Sequence, residues 1–409
     1  MKIEVVAIGD ELLNGLTVNS NAAFISREIH FLGWHVDRHT TLPDHPETLK
    51  KGLQEAMERS SCVITTGGLG PTCDDRTREI AANLFHSSMH FDEKVAEDLK
   101  ARYGENLTSL QDQATVPAKA EVLLNSVGTA PGFIFQSHGK VLILLPGVPI
   151  EMQAMFLEKV VPFLKRHFAL EQNLKTERLY FCLMNENQID PFLRSLKEKY
   201  RTIECGIYPS FGTLTLLLTS QDESELKLAK RDIAAKFPQN IFSSPNGKIE
   251  EALHEWFLGN KKTLSCAESC TGGMIAEKIT ANAGASEYFL GSLVAYSNAL
   301  KSNVLSVSES TLKNKGAVSA ETVREMLEGL FKITEADFGI AVSGIAGPGG
   351  GTAQKPVGTI FAAIGEREKT PDVGMFQLKG TRQTIMLMTT FHLIGALWRK
   401  VVHQTPAFL

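Results

Sequence analysis

The sequence predicts an α/β protein with three parts: an N-terminal three-layer domain with a mostly parallel sheet, a small α/β middle domain and a C-terminal α/β domain. Two observations support this fold class. From residue 2 onward, short apolar runs alternate with amphipathic stretches of about a dozen residues, which is typical of parallel strands joined by helices. Glycine-rich turns also follow several of these runs, and ligands of parallel sheets bind at such places.

The N-terminal part shows this alternation most clearly. Its apolar runs predict strands at 2–9, 35–42, 62–67, 121–124 and 141–145. Its amphipathic stretches predict helices at 20–34, 46–59, 77–85, 92–102 and 151–167. Right-handed crossovers between consecutive strands would place the helices on both faces of one sheet.

Two further domains follow, with boundaries that we place at 1–170, 175–245 and 248–409. The middle domain reads as strand, helix, two strands and helix, at 178–184, 189–199, 202–210, 213–220 and 223–236. Residues 243–248 have the composition of a linker. The last domain predicts helices at 250–258, 319–331 and 381–402, and strands beginning at 263, 292, 336 and 355.

The composition excludes several classes of protein. The chain has 409 residues, 43% of them hydrophobic and 22% charged, and a net charge of −4 without a long Lys/Arg block, so no nucleic-acid partner is expected. The first residues enter a strand at once, and apolar runs such as 141–145 and 214–218 are too short to span a bilayer. We therefore expect a cytoplasmic protein without a membrane partner. The six cysteines include no CxxC pair, which argues against a zinc site or disulfide framework.

Residues 263–275, TLSCAESCTGGMI, contain a candidate nucleophile. Ser269 lies at a predicted turn between a strand and a helix, where unpaired backbone N–H groups and the helix dipole favour a developing negative charge. The alternative is that this serine caps the helix, which is the commoner role of such a residue. The adjacent Cys270 is interpreted as a small residue packed on the turn.

Three distant residues could share a pocket with Ser269. Tyr296 closes one predicted strand, Lys301 follows it, and Ser343 ends another. Strand ends can gather at one rim of a sheet, and a lysine acts as a base once burial lowers its pKa. The alternatives are a solvated lysine, a core or edge aromatic and a core hydroxyl bonded to the backbone.

A second candidate site follows the third predicted strand, in residues 66–77, TGGLGPTCDDRT. Its glycines allow backbone N–H groups to approach a phosphate, and Asp74 and Asp75 could hold a divalent cation. Asp10 and Glu11 follow the first strand and could lie at the same edge. The alternative is that the two aspartates only cap the following helix.

Over essentially its whole length, the chain resembles the competence/damage-inducible protein CinA family. The N-terminal part is similar to the molybdopterin-binding, MogA/MoeA-like domain through AIGDELL, TTGGLGPTCDDRT, GTAPGF and LLPGVP. The C-terminal part resembles the nicotinamide mononucleotide deamidase domain through AESCTGG, AYSNALK, GAVSAE, SGIAGPGGGT and KPVGT. These motifs are long and occur in the family's order.

The resemblance implies hydrolysis of the carboxamide of nicotinamide mononucleotide to nicotinate mononucleotide and ammonia, without a cofactor. Ser269 would be the nucleophile, Lys301 its base and Tyr296 a proton-relay or positioning group. Arg382 is expected to meet the substrate phosphate. The residues implied to bind substrate are Thr271, Gly272, Gly273, Ser343, Gly347, Gly349, Gly350 and Arg382.

For the N-terminal domain, the resemblance implies cleavage of the pyrophosphate of ADP-ribose with a divalent metal such as Mg²⁺. Asp74 and Asp75 are the metal candidates. The residues implied for this site are Glu11, Gly67, Gly68, Gly70, Thr72, Asp74 and Asp75. The resemblance also implies a homodimer. The competing hypothesis is a non-catalytic scaffold that binds a nucleotide or a pterin in competence or the DNA-damage response.

The chain departs from the family at three places. Ser343 stands where threonine is usual, which keeps a hydroxyl group. A further arginine, usual near Met386, is absent, which could weaken phosphate binding. Residues 184–187, MNEN, replace a GIGES-like turn in the middle domain.

Overall fold

A computed structural model describes residues 2–72, 75–168 and 175–408. The chain divides into two compact units, Met1–Thr176 and Glu177–Leu409, and each is described by itself.

The first unit contains a six-stranded sheet and a two-stranded one. Its strands are β1 (Ile3–Ile8), β2 (Arg38–Leu42), β3 (Cys62–Thr66), β4 (Met89–Phe91), β5 (Thr115–Pro117), β6 (Glu121–Leu123), β7 (Gly132–Ser137) and β8 (Lys140–Leu145). The large sheet has the order β2-β1-β3-β8-β7-β6, with its first four strands parallel and the last two added antiparallel. β4 pairs with β5. The prediction of a mostly parallel sheet is confirmed.

Helices lie on both faces of the large sheet. They are α1 (Asp10–Leu13), α2 (Ser20–Phe31), α3 (Pro46–Arg59), α4 (Thr77–Leu84), α5 (Glu93–Tyr103), α6 (Leu110–Gln113), α7 (Pro149–Met155) and α8 (Val161–His167), with a π-helical turn, Phe156–Val160, between the last two. Val6 and Ile8 pack with α3, α4 and α5, whereas Ile3 and Val5 pack with α2, α7 and α8. Successive side chains of a strand point to opposite faces, so these two cores make the predicted three layers.

Three strands of this unit, β4, β5 and β7, are not among the predicted strands. The segment up to Phe133 was interpreted as a loop, but β7 begins at Gly132 and forms a hairpin with β8. Its turn is made by His138 and Gly139, both at positive φ, as a two-residue hairpin turn requires.

The second unit begins with the predicted middle segment, which forms a four-stranded sheet covered by two helices. Its elements are β9 (Lys175–Cys182), α9 (Glu186–Lys199), β10 (Glu204–Ser210), β11 (Thr213–Ser220), α10 (Glu223–Lys236) and β12 (Ile241–Phe242). The sheet order is β10-β11-β9-β12. Asn185, in the turn that departs from the family pattern, caps α9 in a capping box with Gln188.

The rest of the second unit is a five-stranded sheet with helices on both faces. The helices are α11 (Ile249–Asn260), α12 (Met274–Thr280), α13 (Asn298–Asn303), α14 (Glu309–Asn314), α15 (Ala320–Thr334) and α16 (Arg382–His403), with a 3₁₀ turn at Ala285–Glu287. The strands are β13 (Leu264–Glu268), β14 (Phe289–Val294), β15 (Phe338–Gly344), β16 (Thr359–Glu366) and β17 (Asp372–Gln377).

The order of this sheet, β14-β13-β15-β16-β17, decides where the candidate residues lie. β13, β14 and β15 are parallel, so their carboxyl ends share one edge. β16 and β17 are antiparallel additions, and β17 was not predicted. β14 ends at Val294, so Tyr296 lies beyond the strand that it was predicted to close.

The last helix, α16, joins the two parts of the second unit. Among the described residues it is the one helix long and apolar enough to cross a membrane, but 61% of its apolar window is buried inside the protein. Its side chains share a core with α11, α12, Cys182 and Phe242, and Trp398 contacts Phe242 with ring centroids 6.2 Å apart. This burial explains its apolar composition as that of a core helix.

Candidate active site

Ser269 directly follows β13 and begins the turn that leads into α12. Gly272 and Gly273 both have a positive φ, which side chains rarely adopt, so glycine is needed to turn the chain within five residues. The N–H of Gly272 donates to the carbonyl of Ser269 at 3.1 Å, which closes the turn. These two predicted substrate-binding glycines therefore shape the turn that presents the serine.

Glu268, the residue before the nucleophile, holds this turn from inside and was not identified from the sequence. Its carboxylate is fully buried and accepts hydrogen bonds from the N–H groups of Gly273 (3.0 Å), Ile275 (3.1 Å) and Ala276 (3.0 Å), and from the Ser292 hydroxyl (2.9 Å). The expectation of unpaired N–H groups is therefore wrong for the start of the helix, where a carboxylate of the same chain binds them. It holds for Ser269 and Thr271, whose N–H groups find no backbone acceptor in the described residues.

We expect Glu268→Ala to lower the free energy of unfolding by roughly 3 kcal/mol or more, because it leaves several buried donors without an acceptor. Glu268→Gln keeps one carbonyl oxygen and should lose less. Urea denaturation measures both, with Glu287→Ala on the exposed turn before β14 as the control. Equal losses in Glu268→Ala and the control would contradict this role.

Lys301 lies on α13 and reaches the nucleophile across the edge of the sheet. Its Nζ is 2.8 Å from Ser269 Oγ, 2.8 Å from the Ala295 carbonyl oxygen and 3.3 Å from that of Tyr296. The residue is 1% exposed, so the alternative of a solvated lysine is wrong. When the amine of Lys301 is neutral, it has two hydrogens and one lone pair. The two carbonyl oxygens can accept the two hydrogens, and the lone pair can then accept a hydrogen bond from the Ser269 hydroxyl.

The electrostatics of this pair favour a serine nucleophile over a cysteine. Burial lowers the pKa of Lys301, against a smaller opposite influence from Cys270. Burial also raises the pKa of the Cys270 thiol to about 12, so this thiol stays protonated at neutral pH. Cys270 is 5% exposed, as expected of a residue packed on the turn.

Tyr296 and Arg382 bind one another at the rim. The Tyr296 side chain is 56% exposed, and its hydroxyl oxygen accepts a hydrogen bond from Arg382 Nη2 at 2.5 Å. Arg382 Nη1 donates to the carbonyl of Gly347 at 2.9 Å. Arg382 begins α16, and so the start of this helix, the glycine loop and the segment after β14 meet at one place.

Two further hydroxyl groups, those of Ser343 and Thr271, were predicted to bind substrate, and they differ in their hydrogen bonding. Ser343 is buried in β15 and donates to the Ala317 carbonyl at 2.6 Å, which matches the alternative of a core hydroxyl bonded to the backbone. Thr271 is 1% exposed, and its Oγ1 has no partner among the described residues. Gly349 and Gly350 belong to the exposed loop next to Gly347.

The predicted N-terminal site is partly described, because Asp74 lies outside the described residues. Asp75 accepts hydrogen bonds from Thr72, from its N–H at 3.1 Å and its hydroxyl at 2.5 Å. α4 has no side-chain cap, so the alternative in which Asp75 caps this helix is wrong. The N–H of Gly67 donates to the Leu145 carbonyl, and the carbonyl of Gly68 accepts from the Thr77 N–H. Gly70 follows in the same turn.

A fourth carboxylate, Asp44, belongs to this edge and was missed. Its pKa is raised by burial first and also by the negative charges of Asp10, Glu11 and Asp75, while the hydrogen bond from the Asp10 N–H (3.0 Å) lowers it. Asp44 comes two residues after β2, at the carboxyl edge that already contributed Asp10 and Asp75, and this position is the signal that could have identified it. No group of three or more His, Cys, Asp and Glu side chains arranged to hold a metal ion occurs in the described part of the chain.

Comparison with protein families divides the chain in the same way as its motifs. The profile of the probable molybdopterin binding domain matches residues 4–166, and that of the CinA C-terminal domain matches residues 246–400. Together they cover most of the chain.

Relatives match over the full length. A CinA-like protein of Endomicrobium trichonymphae is 37% identical, over 98% of this chain and 99% of its own. A putative competence-damage inducible protein of Clostridium botulinum (strain Okra / Type B1) is 36% identical, over 98% of this chain and 100% of its own.

Solved structures match one part of the chain. The CinA protein of Thermoplasma acidophilum is 37% identical and covers 39% of this chain and 96% of its own, with a TM-score of 0.38. The competence damage-inducible protein A of Klebsiella pneumoniae is 32% identical and covers 38% and 97%, with a TM-score of 0.37. On the two domain profiles and the full-length relatives, the chain belongs to the CinA family of competence/damage-inducible proteins.

Proposed function

We propose that the C-terminal part of this protein hydrolyses the carboxamide of nicotinamide mononucleotide to nicotinate mononucleotide and ammonia. The observation that carries the proposal is the 2.8 Å contact between Ser269 Oγ and the buried Lys301 Nζ. A hydroxyl bonded to a desolvated amine is an activated nucleophile without histidine. The CinA C-terminal profile over residues 246–400 supports the assignment to this family of sites.

The first half of the reaction forms an acyl-enzyme. Neutral Lys301 takes the proton of Ser269 as Oγ attacks the carboxamide carbon, and the carbonyl oxygen becomes negatively charged. The N–H groups of Ser269 and Thr271 are candidate donors to this oxygen, since no backbone acceptor in the described residues takes them. The lysine then returns its proton to the amide nitrogen, the C–N bond breaks and ammonia leaves.

The second half releases the acid. Lys301 takes a proton from water, whose oxygen attacks the ester carbon, and the proton passes to Ser269 Oγ as the ester bond breaks. The products are the nicotinate carboxylate and the regenerated serine. In this proposal Arg382 contacts the substrate phosphate beside the 347–351 loop, and Tyr296 positions that arginine through their hydrogen bond. Met386, near which the family usually carries a further arginine, lies close to Gly272 of the turn.

The test is release of ammonia from nicotinamide mononucleotide by the purified full chain, compared with its Ser269 variant. Nicotinamide riboside, which lacks the phosphate, separates amide chemistry from phosphate recognition. Mass spectrometry of the quenched reaction should show the tryptic peptide that contains Ser269 as an ester of nicotinate mononucleotide, with the ribose phosphate still attached. Absence of both ammonia and ester at high enzyme concentration would reject the proposal.

A second activity is proposed for the N-terminal unit: cleavage of the pyrophosphate of ADP-ribose to AMP and ribose 5-phosphate. The observation that favours it is the gathering of Asp10, Glu11, Asp44 and Asp75 at one edge, where burial first, and then the charges of the other three carboxylates, raise the pKa of Asp44. Carboxylate oxygens suit Mg²⁺, and a divalent cation bound there would neutralise the pyrophosphate. Asp75 and Asp44 are the described residues that we propose to hold it.

We expect Asp75→Asn to lower ADP-ribose cleavage by roughly 100-fold or more at saturating Mg²⁺, because it removes a charge from the proposed ion site. Asp190→Asn, in an exposed ion pair on α9 of the second unit, is the matched control. Phosphate release after phosphatase treatment of the products measures the rate. Turnover that persists in EDTA would contradict the metal proposal, and calorimetric binding of ADP-ribose without product would instead favour the non-catalytic scaffold.

A further inference from the structure

Arg399 lies near the end of α16, where this helix packs against the end of β9. Gly395, one turn earlier, is in close contact with Cys182 and Leu183, and Trp398 contacts Phe242. Arg399 itself is 7% exposed. It is about five helical turns from Arg382 at the start of the same helix, and so belongs to a different place from the candidate active site.

This buried guanidinium has no partner in the part of the chain that the structure describes. Its Nε is inaccessible and finds no acceptor, and none of the ion pairs of the described residues includes it. Burial lowers the pKa of Arg399 from its ordinary value of 12.5. An arginine nevertheless stays charged at neutral pH, because its ordinary pKa is so far above 7. An uncompensated charge in a buried side chain is unfavourable, and an anion at this position would compensate it. Nη1 and Nη2 are not among the inaccessible unbonded atoms of the described residues, so they are the donors that an anion could reach.

The charged and titratable groups around Arg399 do not supply that anion. The pKa of the Cys182 thiol is raised to about 12 by burial, so it stays neutral. His392 has a pKa lowered to about 4 by burial and by Arg399, and it is also neutral. His403 has a lowered pKa from the same two causes. The surroundings of the guanidinium are therefore neutral.

His403, on the same helix, also has a buried polar atom without a hydrogen-bond partner in the described part of the chain. Its Nε2 is buried without a hydrogen-bond partner among the described residues, and its ring packs edge-on against Trp398, with centroids 4.8 Å apart. His403 lies four residues after Arg399, so both side chains lie on the same face of α16. In the tautomer with hydrogen on Nε2, the ring is a donor beside the guanidinium donors.

We propose that Arg399 and His403 form a binding site for a small oxyanion, an inorganic phosphate or the phosphate group of a metabolite. A guanidinium offers paired donors that match two oxygens of such an ion, and the imidazole N–H adds a third. Arg399 is 7% exposed, which is too little surface for docking of a protein, so the proposed ligand is a small ion. This site is independent of the proposed amidase chemistry.

The test compares thermal unfolding of the full chain in chloride and in inorganic phosphate at constant pH and ionic strength. Phosphate should raise the melting temperature of the unmodified protein by several degrees, because it binds only the folded state. Arg399→Met, similar in length and uncharged, should lose this gain and melt higher than the unmodified protein in chloride, since it removes an uncompensated charge. Arg324→Met, on the exposed face of α15, is the matched control and should keep the gain.

A second readout does not depend on the variant folding well. NMR titration of the His403 ring in the unmodified protein should show a higher pKa in phosphate than in chloride, because a bound anion stabilises the imidazolium. AMP in place of phosphate distinguishes a metabolite from the free ion. No stabilisation by phosphate or AMP, an equal gain in Arg399→Met, or an unchanged His403 titration would each overturn the proposal.

Discussion

Ser269→Ala should abolish ammonia release from nicotinamide mononucleotide, with a fall in kcat of about 10⁴-fold or more, the range seen when a covalent nucleophile is removed. The physical reason is that the Ser269 hydroxyl is the group in direct contact with the proposed base, Lys301. The side chain contributes one hydrogen bond, to Lys301, so the variant should fold normally. A coupled ammonia assay measures the rate, and the melting temperature verifies the fold.

The matched control for this prediction is the adjacent residue. Cys270→Ala removes a thiol that is buried and held protonated, with a pKa of about 12, and should retain most of the activity. The two variants differ by one position on the same turn, so a loss confined to Ser269→Ala identifies the hydroxyl as the reacting group. If Ser269→Ala kept its activity and Cys270→Ala lost it, the nucleophile would be assigned wrongly.

The sequence carried enough information for most of the fold. β1, β3 and β8 are buried on both faces and therefore mostly apolar. The exceptions are Glu4, which pairs with Arg59, the buried hydroxyls of Thr65 and Thr66, and Lys140 at the start of β8. Of the strands that were not predicted, β7 and β17 are antiparallel additions beside the parallel strands, and β4, β5 and β12 are only two or three residues long. β17 is partly exposed on both faces, so it lacks both the continuous apolar run and a strict alternation.

Some residues of the candidate site could also be predicted from the sequence, and others could not. Ser269 and Lys301 could be brought together in advance because parallel strands end at one edge of a sheet. Glu268 could not, because a residue at the end of an apolar run gives no sign that its carboxylate folds back onto the following helix. Arg399 in a terminal amphipathic helix also reads as a solvated residue, and only the packing of β9 against α16 shows that it is buried.

The largest effect after the nucleophile is expected from its base. Lys301→Met removes the group proposed to accept the Ser269 proton and should lower kcat by about 10² to 10⁴-fold, the usual contribution of general base catalysis. Lys301→Arg should be equally inactive, because an arginine keeps the positive charge but cannot give up its proton near neutral pH. Lys332→Met, on the exposed face of α15, is the matched control and should leave the ammonia assay unchanged.

The pH dependence tests the same role without a change of sequence. A lysine base is active when deprotonated, so kcat/KM should rise with pH in proportion to the neutral amine and level off above the pKa of Lys301 in the free enzyme. Burial lowers this pKa from its ordinary value of 10.5, and so the plateau should begin below that pH. The rise should be missing in the residual activity of Lys301→Met. If that variant retained the same rising limb, another group would be the base, and the 2.8 Å contact between Lys301 and Ser269 would only position the nucleophile.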